Sequence, residues 1–234
     1  MFVRRHVGCA GVAAALCALA CGGDATPPRV WRPTWAGVVA GPSGELGTIE
    51  LSVDASASGA IVASGSAAFT FAPRRFALVD DGSADDTLRV TGVSETIYGR
   101  LRCSADRAPG DDDALRGRCA LDDGAARPLA LVAHDGEARR VCGNYFWPDD
   151  DGVLSIVASA RAIGAVAYGA RVRWSATASR AADVAARLAG PLAIDGDGLR
   201  LDAELAAGGA TGTFTSSRAR GAIATNPETC PQRP

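Results

Sequence analysis

The sequence predicts an all-β fold, an antiparallel barrel or sandwich built from two similar halves. Three observations predict it: segments in which polar and apolar residues alternate, turn signals between those segments, and a shared order of matching segments in the two halves. Alternation with a period of two indicates a strand with one buried and one solvated face. Short strands separated by turns about every dozen residues are typical of antiparallel sandwiches and barrels.

The strands themselves can be placed along the chain. Thr48–Asp54 and Leu199–Leu205 alternate at every step. Weaker runs with the same period predict further strands at Ala67–Phe71, Leu88–Val93, Tyr98–Cys103, Leu129–Ala133, Leu154–Ala158, Val172–Ala176 and Gly212–Thr215. Turn signals such as Gly41-Pro42 and Asp81-Gly82 lie between them.

One segment departs from this pattern and predicts a short helix over 179–190. Ser179 suits the N-cap position, and Gly190-Pro191 is a stop signal. Helical spacing would place Ala181, Val184, Ala185 and Leu188 on one face. We expect this helix to cover a barrel end or a sheet edge.

An internal repeat relates residues 34–122 to residues 142–225. Trp35-Ala-Gly matches Val141-Cys-Gly, and Gly47–Asp54 matches Gly152–Ser159. Further matches follow in the same order: 58–62 with 163–167, 67–71 with 170–174, 88–93 with 199–205, 98–101 with 211–214, and 116–120 with 220–224. We therefore divide the chain into a first β repeat, 35–134, and a second, 141–230, each with about seven strands.

The amino terminus has the parts of a secretory signal, residues 1–20. Arg4, Arg5 and His6 form a basic start, and Val7–Ala20 is uncharged and too short to span a membrane. Ala18-Leu19-Ala20 is a small-x-small cleavage site. The segment 21–34 that follows is rich in proline, so we expect an extended tether, with Trp31 as its first ordered contact.

Residues 1–23, with Ala18-Leu-Ala-Cys21, resemble the lipobox signal of bacterial lipoproteins. The resemblance implies cleavage before Cys21, diacylglycerol on its sulfur and acylation of its amine. The chain would then be attached to a membrane through this lipid anchor. Gly22 after the cysteine implies the outer membrane. Leu19 lies two residues before the cysteine, where the family has leucine three before it. Ordinary signal cleavage, giving a secreted or periplasmic protein, is therefore the alternative.

The cysteines predict two disulfides. Cys9 and Cys17 leave with the signal and Cys21 is the anchor, so four cysteines remain for an oxidised, exported domain: Cys103, Cys119, Cys142 and Cys230. If Cys103 faces Cys119 in a hairpin, the same register pairs Leu101 with Leu121, Arg100 with Asp122 and Arg116 with Asp106. By elimination, Cys142 pairs with Cys230.

Composition excludes several functions. The 24 basic residues are all arginine and 26 residues are acidic, so nothing favours binding to nucleic acid. The absence of lysine excludes a P-loop lysine and a Schiff base. His134 is the one histidine after the signal, and no GxSxG, HExxH, GxGxxG or CxxC motif occurs. We expect no catalytic residue and no cofactor.

Two candidate sites are adjacent in the sequence. Asp149, Asp150 and Asp151 are the best candidate metal ligands, although aspartates at turns are more often solvated. Tyr145, Phe146 and Trp147 form the one aromatic cluster and are the candidate ligand pocket, with core packing as the competing interpretation. The Gly-x-Leu and Gly-x-Phe steps, at Gly99 and Gly212, are similar to those of small lipocalin-like or avidin-like barrels.

We expect an exported, lipid-anchored cell-envelope protein with a binding or structural role rather than a catalytic one. A binding role, with a small apolar ligand, requires an enclosed apolar cavity. The first alternative, a secreted hydrolase with paired carboxylates, requires two converging carboxylates, one of them with a raised pKa. The second, a periplasmic module that binds or inhibits an envelope protein, requires a broad exposed apolar patch.

Overall fold

A computed structural model of the chain describes residues 30–56, 60–70, 74–84, 86–94, 99–107, 111–122, 124–179 and 189–231. This part of the chain is all-β, as predicted: it contains sixteen strands, in two antiparallel eight-stranded sheets, and two short 3₁₀ helices. The 3₁₀ helices are Pro42–Gly44 and Pro227–Thr229.

The first sheet is a closed barrel in which each strand pairs with the next and the last pairs with the first. Its strands are β1 Thr34–Ala40, β2 Leu46–Ala55, β3 Ile61–Phe69, β4 Arg74–Asp80, β5 Thr87–Ser94, β6 Arg100–Arg107, β7 Ala114–Leu121 and β8 Arg127–Ala133. Closure leaves this sheet without an unpaired edge.

The second sheet has the same succession of strands but is open at one place. Its strands are β9 Ala138–Phe146, β10 Asp151–Ser159, β11 Ala162–Gly169, β12 Arg173–Ser179, β13 Gly190–Gly196, β14 Leu199–Ala206, β15 Gly209–Ser216 and β16 Arg220–Asn226. The first and last strands, β9 and β16, pair as in the first sheet, whereas β12 and β13 are the two edges. Across this gap, Trp174 Nε1 donates to the carbonyl oxygen of Gly196 at 2.8 Å.

The helix predicted over 179–190 falls on this gap. Residues 180–188 lie outside the described residues. Ser179 is the last residue of β12 and Gly190 is the first of β13, so strands occupy both ends of the predicted range.

The two sheets correspond strand by strand, with eight strands each instead of about seven. When the ladders are matched in order, four pairs of glycines coincide: Gly37 with Gly143, Gly47 with Gly152, Gly92 with Gly196, and Gly117 with Gly212. The sequence matches are correct for the first two strands. The later matches are shifted by one strand: they equate the fifth strand of the first sheet (88–93) with the sixth strand of the second sheet (199–205). The shift arises because β13 was not predicted.

Side chains fill the interior of each sheet. In the first sheet the inward positions carry large apolar residues, among them Trp35, Phe76, Leu115 and Leu131. Trp31, just before β1, packs against Trp35 and lies under the guanidinium of Arg107, which is 4.3 Å from its ring centre. Trp31 therefore belongs to the barrel core.

A third apolar layer lies between the two sheets. The outer faces of β7, β8 and β1 pack against those of β10, β11 and β12. Small side chains line this contact: Ala36, Val38, Ala130 and Val132 from the first sheet, and Val153, Val157, Ala162 and Val166 from the second. These strands are buried on both faces, which explains why their sequences are nearly continuously apolar and alternate poorly.

Candidate functional site

Both predicted disulfides are present. Cys103 and Cys119 face each other on β6 and β7 and point into the first sheet. The hairpin has the predicted register, because Leu101 lies opposite Leu121 and Asp106 opposite Arg116. Two disulfides indicate an oxidising, extracytoplasmic compartment.

The second disulfide holds the closure of the second sheet. Cys142 of β9 pairs with Asn226 of β16, and Cys230 follows the short helix after β16. Cys142 is fully buried in the layer between the sheets. The bond therefore fixes the first strand of this sheet to the chain just after its last strand.

A crevice between the two sheets has a volume of about 410 Å³. One wall is the β1–β2 turn, with Gly41, Pro42 and Gly44, and the other consists of the adjacent ends of β9, β10 and β11. Its polar side chains are the exposed Asn144 and Asp151 and the buried Tyr168. Such a crevice can accept a small polar group from solvent, but it is open on one side. It lacks the enclosed apolar character of the cavity expected for a small apolar ligand.

Two of the three candidate metal ligands beside this crevice, Asp149 and Asp150, bind other groups of the protein. Asp150 is buried, and its carboxylate accepts hydrogen bonds from the backbone N–H groups of Ala170 and Arg171 and from the Tyr145 hydroxyl. Asp149 forms an ion pair with Arg171, and Asp151 is exposed. Among the described residues, no group of three or more His, Cys, Asp or Glu side chains is arranged to hold a metal ion.

The three aromatic residues of the predicted pocket separate in the structure. Tyr145 is fully buried, and Trp147 packs with it and with Phe214 inside the second sheet. Trp174 extends this cluster through Phe214, with ring centres 5.0 Å apart. Phe146 points the opposite way and is 49% exposed. Tyr145 is therefore a core residue, Trp147 is partly buried against that core, and Phe146 is exposed.

Neither carboxylate with a lowered pKa fits the acid of a hydrolase. Burial opposes ionisation of Asp80, but hydrogen bonds from Ser83 and from the N–H of Gly82 outweigh it and lower the pKa. The hydrogen bond from Arg200 lowers the pKa of Asp202. A general acid requires a pKa shifted upward, so these two residues are structural.

A polar cluster at the junction of the sheets contains His134. Glu50 of β2 forms an ion pair with Arg140 of β9, and its second oxygen lies 3.7 Å from His134 Nε2. His134 Nδ1 accepts from the N–H of Gly136. Sequence reasoning missed this cluster, because no local pattern relates Glu50 to a residue ninety positions later on another sheet.

Large apolar side chains are exposed in few places. Within the described residues they are Val30, Val62, Val79, Val93 and Phe146, each about half exposed or more. Three of these valines, Val62, Val79 and Val93, lie on adjacent strands of the first sheet, β3 to β5. Alternation predicted strands at 67–71 and 88–93 but not β4, and it does not indicate which solvated faces carry apolar side chains.

Fold and site together define an all-β protein of two meandering eight-stranded sheets, one closed and one open, joined side by side and oxidised. Comparisons with protein-family models, with curated proteins and with solved structures find no match. Within the described ranges, no helix is long and apolar enough to cross a lipid bilayer.

Proposed function

We propose that this chain is an exported, lipid-anchored protein of the bacterial cell envelope with a binding or structural role rather than a catalytic one. The observation that carries the proposal is that both sheets fill their interiors with their own side chains, so that partners meet the outer surface. Trp35 and Trp174 occupy the space in which a small-barrel protein would hold a ligand.

Export is supported by two independent features. The first 20 residues have the charge and apolar pattern of a signal peptide. The two disulfides, Cys103–Cys119 and Cys142–Cys230, require oxidising conditions to form. Lipid attachment at Cys21 and a place in the outer membrane are supported by the residues around that cysteine.

A binding or structural role is supported by the outer surface. Uncharged, partly apolar side chains on β3 and β4 are open to solvent, as expected for a module that binds a macromolecule. The hydrolase alternative has weaker support, because within the described residues the two carboxylates whose pKa departs from its ordinary value, Asp80 and Asp202, both shift downward.

Peptide mass analysis of the protein from its own host tests the proposal. We expect the first peptide to begin at Cys21 and to carry diacylglycerol and a third acyl chain, and the protein to sediment with membranes. Each buried methylene contributes about 0.8 kcal/mol, so three chains hold a protein firmly. Cys21→Ser should release the protein from the membrane fraction.

Cys17→Ser is the matched control, since it makes the same substitution within the segment that is removed, and it should leave the lipid mass and the membrane fraction unchanged. A first peptide that begins at Met1, or an unmodified Cys21 in the native host, would overturn the anchor.

A further inference from the structure

The contact between the two sheets is heterologous: it uses different strand positions on its two sides. The first sheet contributes its first, seventh and eighth strands (β1, β7 and β8), and the second sheet contributes its second, third and fourth (β10, β11 and β12). Two similar bodies joined in this way each keep one unused face. A heterologous contact can add one copy after another, whereas a two-fold symmetric contact joins only two copies.

The unused face of the first sheet lies on β3 and β4. We call it the β3–β4 face; its outward side chains are Val62, Ser64, Ser66, Ala77 and Val79. In the strand-by-strand correspondence of the two sheets, Val62 of β3 is equivalent to Ala162 of β11, which is fully buried between the sheets. Val79 occupies the position of Thr177. Its charges lie at its margin: Arg75 precedes Ala77 on the outward side of β4, and Asp54 of β2 lies opposite Val62. Both valines are more than half exposed.

The unused face of the second sheet lies on β9, β15 and β16. We call it the β9–β16 face; its outward side chains are Asn144, Phe146, Thr211, Thr213, Ala222 and Ala224. Phe146 occupies the position of Ala40, and Ala224 that of Ala130, both fully buried between the sheets. Its charges lie at its margin: Arg220 is the exposed first residue of β16, and Asp151 of β10 lies opposite Phe146.

Exposed apolar side chains coincide with these faces. Of the five large apolar residues exposed in the described ranges, Val62, Val79 and Phe146 lie on the two faces and Val93 lies on β5, next to the β3–β4 face. The fifth, Val30, precedes the first strand. Both faces also adjoin the existing contact, through β2 on one side and Cys142 on the other.

From this arrangement we infer that the occupant of each face is a second copy of this chain, with the β9–β16 face of one copy against the β3–β4 face of the next. The contact repeats between molecules the packing that joins the two sheets within one molecule. It specifies the partner in the binding or structural role proposed above and does not depend on the lipid anchor. Copies held on one membrane would meet at high local concentration.

Sedimentation velocity of the exported chain tests this inference. The chain carries Cys21→Ser, so that no acyl chain contributes to association, and we expect the sedimentation coefficient to rise with concentration beyond that of a dimer. Val79→Arg on one face and Phe146→Arg on the other should each weaken association about 100-fold or more, because each places a long charged side chain within the contact. Val30→Arg is the matched control and should associate like the parent chain.

The mixture of the two variants distinguishes a heterologous contact from a symmetric one. Each variant keeps one intact face, so an equimolar mixture should form a one-to-one dimer and nothing larger. Intact disulfides and an unchanged thermal unfolding midpoint confirm that each variant folds. Val62→Arg and Ala224→Arg replace any variant that does not.

Three results would overturn the inference: a parent chain that stays monomeric at every concentration, single variants that associate like the parent, or a mixture that stays monomeric. These outcomes are independent of the anchor, which is measured by the mass of the first peptide. Failure of one proposal therefore leaves the other open to its own test.

Discussion

Arg140 of β9 forms an ion pair with Glu50 of β2 across the junction of the two sheets, with 2.8 Å between Nη2 and Oε1. The same guanidinium donates to the carbonyl oxygens of Gly37 and Ile49 on the first sheet. One side chain of the second sheet therefore donates to two backbone carbonyl groups of the first sheet and forms an ion pair with its Glu50. The Arg140 side chain is 7% exposed and the Glu50 side chain is 27% exposed, so solvent screens the ion pair only in part.

Arg140→Met should lower the free energy of unfolding by about 2–3 kcal/mol, because it leaves Glu50 and two carbonyl groups without this donor. Urea unfolding monitored by tryptophan fluorescence measures the loss. Arg218→Met, at an exposed arginine, is the control and should change stability by less than about 0.5 kcal/mol. Equal stability of the two variants would show that the ion pair contributes nothing to the junction.

The two disulfides should contribute unequally. Cys142 and Cys230 are 88 residues apart in sequence, whereas Cys103 and Cys119 are 16 apart. Closing the longer loop removes more entropy from the unfolded chain, about 4–5 kcal/mol against about 3 kcal/mol. Replacing each pair by alanine and comparing guanidinium midpoints measures both losses. A larger loss for the hairpin pair would contradict this loop-length ranking.

Two equivalent glycines allow close approach of neighbouring strands. A Cβ atom at Gly117 would lie 2.0 Å from the carbonyl oxygen of Ser104, and one at Gly212 would lie 2.1 Å from that of Asp202. Alanine at either position must push the strands apart, so we expect each variant to lose about 1–3 kcal/mol. Gly208→Ala is the control, since nothing lies within 4 Å of its Cβ position. Chemical denaturation should separate the two variants from the control.

Tyr145 should make stability fall at alkaline pH. Burial, with the nearby carboxylate of Asp150, raises the pKa of its hydroxyl above the ordinary value of 10.0. Because the folded chain holds this proton more tightly than the unfolded chain, the contribution is complete below about pH 10 and is lost as the pH rises towards the folded-state pKa.

Unfolding free energies measured between neutral and alkaline pH check this expectation. Tyr145→Phe should be less stable at neutral pH by about 1–2 kcal/mol, because it removes the hydrogen bond to Asp150. It should also lose less stability than the parent chain as the pH rises. Tyr168→Phe controls for the loss of one phenol. If the variant and the parent chain lost stability in parallel, Tyr145 would not be the group responsible.

Local pattern was sufficient for some features of the fold. Period-two alternation in Thr48–Asp54 and Leu199–Leu205 identified β2 and β14, and the paired charges around Cys103 and Cys119 identified the register of that hairpin. The candidate site was less predictable. Tyr145 lies in the core of the second sheet and Trp147 packs against that core. Phe146 between them is exposed, because successive side chains of a strand point to opposite faces.

The sequence by itself determined the strand class and both disulfides, since each depends on residues close in the chain or on counting cysteines. It matched the first two strands of the two halves correctly and the later ones wrongly by one strand. Only the tertiary structure decided that one sheet closes and the other stays open, and that β1, β8, β10 and β11 are buried on both faces. The physical reason is that closure and sheet-to-sheet packing depend on outward side chains from strands far apart in the chain. In the sequence, Ala36 and Val166 do not differ from other strand residues, and only the fold places both in the layer between the sheets.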